Sequence, residues 1–148
     1  MARLFADEDR DAVLELLYQQ YGAQLKGERF SLEGRVEPGL VEVTLILERT
    51  DRTFRYEMQF YVSLADNRVS EQEARDLVLD FIGYYLDLYF RNERDLLLPL
   101  DYQEYPFGEH RVFARGDITN PALDALADEI IETGRPISPD DPRLERLR

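Results

Sequence analysis

The feature that most constrains this fold is a helix-forming stretch at residues 69–92 that is apolar on more than one side. It begins with a capping box, because Ser70 is followed three residues later by Glu73, and Val69 can pack on Ala74 as a hydrophobic staple. About 20 residues at ~1.5 Å each give a rod on the order of 30 Å long. Two apolar stripes run along it, and the second consists of Leu79, Ile82, Leu86 and Phe90. One face of a sheet can cover only one stripe. We therefore expect the second stripe either to form an interface with another copy of the chain or to pack against another element.

Three segments with alternating polar and apolar residues precede this helix, at residues 30–36, 41–47 and 54–64. Such period-two alternation predicts strands with one apolar and one polar face. Pro38 and Gly39 occupy a turn between the first two segments, and a short link through residues 50–52 joins the next pair. Because short links join antiparallel strands, the three segments predict a meander.

Shorter elements flank this centre. Residues 9–26 have the pattern of an amphipathic helix, and Leu4 and Phe5 just before it can staple its start or extend as an arm onto a neighbour. The apolar segment 96–100 contains Pro99, which favours an edge strand or a loop crossing the core. A second hairpin follows, with one strand to about residue 104 and the next over residues 110–115. A third helix is predicted over residues 120–133, with Ile131 among the residues facing inward.

The order of these elements is α-βββ-α-ββ-α, which predicts an α+β fold. We expect two layers: one antiparallel sheet, made of the three-strand meander and the second hairpin, packed against helices. Residues 1–134 form a single domain in this interpretation. Residues 135–148 are rich in proline and charge and are predicted to be a flexible tail.

Composition excludes several classes of function. The chain has a net charge of −13, and its basic residues are not clustered in the sequence, so nucleic acid and anionic membrane surfaces are not expected partners. It has no cysteine, which removes disulfides, thiolate zinc sites and cysteine nucleophiles. The most apolar stretch carries three aspartates, so no transmembrane segment is predicted, and without a signal-peptide pattern we expect a cytoplasmic protein.

The sequence contains no recognisable catalytic motif. Neither a glycine-rich phosphate loop nor a nucleophile elbow is present, so we predict no catalytic residue, no cofactor and no metal ligand. The alternative interpretation is a small enzyme or ligand-binding domain, with a polar pocket in which His110 acts as a general base. That pocket would be formed by Asp101, Tyr102, His110 and Asp117.

The polar face of the meander carries two apolar side chains, Ile46 and Tyr61, among its charged residues. An apolar segment of a partner can dock across such a face, or it can add a strand to an exposed sheet edge. Ile46 and Tyr61 are therefore the candidate partner-binding residues.

The helix–meander–helix–hairpin–helix order over roughly residues 9–133 resembles class I type III secretion chaperones and the related YbjN-like fold. The resemblance implies a small acidic homodimer without catalytic residues, dimeric through the helix after the third strand, that holds a partner polypeptide. We therefore predict a non-enzymatic, chaperone- or adaptor-like binding module. The alternatives are the small ligand-binding domain or enzyme near His110, and a structural subunit of a larger bacterial assembly.

Overall fold

A computed structural model describes residues 3–92, 94–119, 128–129 and 131–134. Its helices are α1 (Asp7–Tyr21), α2 (Leu64–Asn67) and α3 (Glu71–Arg91), and a 3-10 turn spans Gly22–Gln24. Its strands are β1 (Arg3–Leu4), β2 (Glu28–Glu37), β3 (Leu40–Arg49), β4 (Arg55–Ser63), β5 (Gln103–Phe107) and β6 (His110–Thr119). They form one antiparallel sheet in the order β1-β2-β3-β4-β6-β5. The predicted α+β fold class and order of elements are confirmed.

The predicted alternation of the strands is also confirmed, because every second side chain is buried. On β3 the buried residues are Val41, Val43, Leu45 and Leu47, and on β4 they are Tyr56, Met58, Phe60 and Val62. These side chains point to the same face of the sheet, which is covered by α1 and α3 and is here called the core face.

The central helix begins as its sequence predicts. The side chain of Ser70 accepts a hydrogen bond from the backbone N–H of Glu73 at 3.2 Å, and α3 then continues for 21 residues. This cap satisfies one of the N–H groups that a helix leaves unpaired at its start. On one side α3 meets the sheet, where Phe81 packs edge-on against Phe60 at 5.9 Å between ring centroids.

The second stripe of α3 is covered by α1 from the same chain. Asp9 pairs with Arg75 at 3.0 Å, and the Tyr21 hydroxyl donates to the Asp87 carboxylate at 2.7 Å and lies 3.0 Å from the Gly83 carbonyl oxygen. Since the start of α1 lies beside the start of α3 and the end of α1 beside the later turns of α3, the two helices run side by side in the same direction.

This packing corrects the predicted interface residues. Ile82 and Leu86 are 1% and 0% exposed within the single chain, and Leu79 and Phe90 are partly buried against the same core. Phe90 stacks on Tyr21 of α1 with ring centroids 5.3 Å apart. Ile82 and Leu86 are therefore core residues of the single chain and not available as an interface with a second copy.

The segment after α3 is a loop and not the edge strand that was one of the two predicted alternatives, and it packs on the core through Leu98. Two buried tyrosines hold it: the Tyr56 and Tyr85 hydroxyls lie 2.5 Å apart, and Tyr85 donates to the Leu96 carbonyl at 2.7 Å. Tyr56 also accepts from the backbone N–H of Leu98 at 2.8 Å, and the Leu98 side chain is buried. These bonds satisfy polar groups that the extended apolar segment brings into the core.

The N-terminal arm pairs with its own chain. β1 runs antiparallel to the end of β2, and the backbone N–H of Phe5 donates to the Gly34 carbonyl at 2.7 Å. The Phe5 ring fills the space that a side chain at position 34 would occupy, so glycine is required there for the arm to dock.

Most of the predicted third helix, residues 120–127 and 130, lies outside the described residues, as does the tail 135–148. Residues 128, 129 and 131–133 are helical, and Gly134 has the positive φ of 67° that is common just after a helix. Ile131 was predicted to face inward but is 81% exposed. Within the described ranges, no helix combines the length and apolar character needed to cross a bilayer.

Candidate partner-binding face

The sheet has a second face, opposite the helices, whose side chains are partly or fully exposed; we call it the open face. It is made by the alternate residues of the four long strands. Its central members are Glu42, Thr44, Ile46 and Glu48 on β3, Arg55, Glu57, Gln59 and Tyr61 on β4, and Arg111, Phe113, Arg115 and Asp117 on β6. Most of these are polar, as expected for a face in contact with water.

Three aromatic side chains on the open face form one cluster, here called the aromatic group: Tyr61, Phe113 and Tyr102. Tyr61 and Phe113 are direct neighbours on β4 and β6, and their rings stack with centroids 4.7 Å apart and planes 5° apart. Tyr102 meets Tyr61 edge-on at 5.0 Å and 75°. Both arrangements are favourable for aromatic pairs, so the aromatic group is a well-packed apolar patch surrounded by charged residues.

The tyrosines in this group stay neutral at physiological pH. Burial, with smaller contributions from the carboxylates of Asp66 and Glu104, raises the pKa of Tyr61 above its usual value. Burial is also the main reason that the pKa of Tyr102 is raised. The two hydroxyls can therefore donate or accept hydrogen bonds at the aromatic group, but they carry no charge.

Arg115 and Gln59 lie beside the aromatic group and hold one edge of it. The Arg115 guanidinium lies over the Tyr102 ring at 4.8 Å from its centroid, and its Nε donates to the Gln59 side-chain oxygen. The Tyr102 hydroxyl donates to the same oxygen at 3.4 Å. The cation–π contact and the shared acceptor fix the position of Tyr102, which is the only member of the group outside a strand.

A small pocket of about 100 Å³ lies next to Arg115, lined by Glu57, Gln59, Leu100, Arg115, Gly116 and Asp117. Glu57 and Asp117 are direct neighbours across β4 and β6, so two carboxylates share the pocket. Glu57 pairs with Arg55 at 3.3 Å, whereas Asp117 has no ion-pair partner among the described residues. Leu100, which is 64% exposed, supplies the apolar wall.

The two residues predicted as the partner-binding face both lie on the open face but are not adjacent. Tyr61 is opposite Glu42 on β3, and Ile46, four residues further along β3, is opposite Glu57. Ile46 is therefore beside the carboxylate pair, and Tyr61 belongs to the aromatic group.

The predicted alternative pocket is divided by the fold. Tyr102 and Asp117 lie on the same part of the open face, and Asp101 is exposed next to Tyr102. His110 lies at the other end of β6, opposite Phe107 at the hairpin turn, seven residues from Asp117. At ~3.3 Å per residue that is about 23 Å, so the four residues do not share one pocket. No group of three or more potential metal ligands is found within the described ranges.

The edges of the sheet are poorly suited to accept an extra strand. On β2 the Tyr18 hydroxyl accepts from the Phe30 N–H at 2.9 Å and donates to its carbonyl at 3.2 Å, and β1 covers the other end of the strand. The opposite edge strand, β5, has only five residues, and one of them is Pro106, which has no N–H to donate. Both features are known ways of blocking edge-to-edge pairing. A partner would therefore meet the open face and not an edge.

A larger hollow of about 520 Å³ lies away from both faces, between the 3-10 turn and the end of α3. Its lining includes Lys26, Phe90 and Arg94. Arg94 is already bound, because its guanidinium contacts the Glu28 carboxylate and the Gln24 carbonyl. This cation therefore serves the fold and is not free for an anionic ligand.

Sequence reasoning found Tyr61 but missed Phe113, Tyr102 and Arg115 as its companions. The signal for Phe113 is present in the sequence: it follows Val112 and precedes Ala114, so it occupies the polar register of its strand. What the sequence does not reveal is that β6 pairs with β4, which puts Phe113 beside Tyr61.

Comparisons of the chain with models of protein families, with curated proteins and with solved structures find no match.

Proposed function

We propose that this protein is a non-enzymatic binding module, chaperone- or adaptor-like, that holds a partner polypeptide on the open face. The observation that carries the proposal is the aromatic group. Tyr61 and Phe113 stack on the face of the sheet opposite the described helices α1 and α3, among residues that are mostly polar. Rigid aromatic side chains on an accessible surface are the residues that most often anchor protein partners.

The resemblance to class I type III secretion chaperones and the YbjN-like fold supports the same class of function by analogy of topology. A cytoplasmic location, a bacterial source and a homodimer belong to this proposal. Since Ile82 and Leu86 are buried within the single chain, a dimer has to use other side chains. Tyr84, Leu96 and Leu97 are 51%, 43% and 47% exposed on α3 and just after it, and they are apolar candidates for that contact.

The alternatives receive less support. A ligand-binding or catalytic pocket near His110 loses its basis, because His110 lies far from Asp117. The pocket beside Asp117 is also smaller than the roughly 300 Å³ at which small-molecule sites begin. For a structural subunit of a larger assembly we find no specific observation.

The proposal is tested by purifying the tagged protein from cells that produce it and asking whether one polypeptide accompanies it in a stoichiometric amount. We expect such a polypeptide with the wild type, and its loss with Phe113→Ser. Leu16→Ser is the matched control, because it removes an exposed apolar side chain, 63% exposed, from α1 on the helical side. A stoichiometric partner that survives Phe113→Ser contradicts the proposal. So does the absence of any partner together with a small molecule that raises the melting temperature.

A further inference from the structure

Two pairs of side chains on the open face are aligned along the same two strands. Tyr61 and Phe113 form the first pair, and Glu57 and Asp117 form the second. The second pair lies four residues before Tyr61 on β4 and four residues after Phe113 on the antiparallel β6. At ~3.3 Å per residue the separation is about 13 Å. An apolar contact surface and an acidic one therefore lie at a fixed distance along one line.

The two residues of the acidic pair lie directly opposite each other on neighbouring strands. Directly opposed like charges on neighbouring strands repel each other. Arg55 pairs with Glu57, but Asp117 has no ion-pair partner within the described ranges, and Arg115 in the same lining is directed to Gln59 and Tyr102. The two carboxylates remain opposed on an exposed surface.

The pocket beside these carboxylates matches the shape of a long basic side chain. Leu100, 64% exposed, gives an apolar wall along which the methylene stem of lysine or arginine can pack, while the charged end meets Glu57 and Asp117. The pocket has a volume of about 100 Å³, which is room for the end of one such side chain.

From these observations we infer that the partner is an extended segment that places an apolar side chain on Tyr61 and Phe113 and an arginine or lysine against Glu57 and Asp117. The basic residue lies four positions from the apolar one. In an extended segment, side chains an even number of positions apart point to the same side. A spacing of four therefore lets both side chains face the sheet. The net charge of −13 favours the approach of such a basic segment. This inference rests on the proposed function, since it concerns the same face.

The test is a selection of random peptides displayed on phage against the wild-type protein, followed by binding measurements on synthetic copies of the selected peptides. We expect enrichment of an apolar residue with arginine or lysine four positions away, and weaker binding when that spacing is changed to three or five. The double substitution Glu57→Gln with Asp117→Asn should weaken binding about tenfold or more.

The matched control is Asp76→Asn with Asp80→Asn, which makes the same change in charge on exposed positions of α3 and should leave binding unchanged. Thermal melting of each variant checks that the fold is retained. Peptides that require Phe113 but show no basic residue, or that bind the Glu57 and Asp117 variant equally well, overturn this inference and leave the proposed function standing. Failure to select any peptide that requires Phe113 overturns both.

Discussion

The two faces of the sheet come from the same strands and differ in almost every property. On β4 the residues facing the helices are 0% exposed, whereas their immediate neighbours on the open face remain partly exposed. The core face is apolar except for the buried Glu28 at the start of β2, and α1 and α3 pack on it. The open face is polar except for a few side chains, of which Tyr61 and Phe113 are stacked. Burial in the core explains why the core face carries apolar residues. It does not explain the apolar residues on the open face. A substitution at a buried position should therefore lower the free energy of unfolding much more than a similar substitution at an exposed position.

The largest effect is expected from Leu86→Asp on α3. Leu86 is 0% exposed within the single chain, and a carboxylate there has no partner and no water. The loss should exceed about 4 kcal/mol and abolish cooperative unfolding in circular dichroism, since burying an unpaired charge is among the most destabilising changes known. Tyr84→Asp on the same helix, at a position that is 51% exposed, should stay folded. A folded monomer from Leu86→Asp would restore the original idea that this stripe is an interface.

An intermediate effect is expected from Glu28→Gln at the start of β2. Burial by itself raises the pKa of Glu28. The hydrogen bond from Arg94, the backbone N–H of Lys26 and the charges of Arg94 and Arg49 outweigh burial and hold the pKa below its usual 4.5. We expect Glu28→Gln to cost about 2 kcal/mol at pH 7. This is less than the ~3–5 kcal/mol for a fully buried pair because both arginines reach solvent. Glu57→Gln on the open face, which breaks an exposed pair with Arg55, should cost about 0–1 kcal/mol.

The pH dependence of Glu28→Gln has a defined sign. A carboxyl group whose pKa is lowered by folding binds fewer protons in the folded state, so its stabilising contribution is complete above the unfolded value of 4.5. That contribution is lost as the pH falls through the lower pKa of the folded state. The difference in free energy of unfolding between wild type and Glu28→Gln, measured by urea denaturation, should therefore shrink below pH 4.5. A difference that grows on acidification would show that the pKa of Glu28 is raised.

The smallest effect compares one tyrosine from each face. Tyr56→Phe on the core face removes the hydroxyl that accepts from Leu98 and contacts Tyr85, and it leaves a buried N–H unpaired. We expect a loss of about 1 kcal/mol in urea denaturation. Tyr61→Phe on the open face should cost less than about 0.5 kcal/mol, because water can reach that hydroxyl. Equal losses would mean that the open face is covered in the folded protein.

Much of the fold could be predicted because its causes are local. Alternation alone assigned Val43 and Phe60 to the core face and Ile46 and Tyr61 to the other, and the capping box of Ser70 and Glu73 located the start of α3. The link between residues 50 and 52 was enough to predict an antiparallel pair. These features depend on neighbours in sequence, and the structure contains each of them.

The candidate site could be predicted only in part, because its causes are long-range. Tyr61 was recognised as an apolar residue in a polar register, but its stacking partner depends on the pairing of β6 with β4 across 52 residues of chain. For the same reason His110 and Asp117 were expected to share a pocket, although they lie at opposite ends of one strand.

What the sequence determined by itself is the α+β class, the order of elements, and which residues of each strand share a face, since periodicity and caps are written in consecutive residues. Only the tertiary structure decided what covers each apolar surface. In the sequence, the second stripe of α3 and the apolar residues on the open face have the same appearance. Both are apolar residues beyond the number that a single buried face accounts for. The first is buried within the single chain, where Phe90 stacks on Tyr21 of α1, while neither α1 nor α3 covers the second. Burial depends on which elements become neighbours in space.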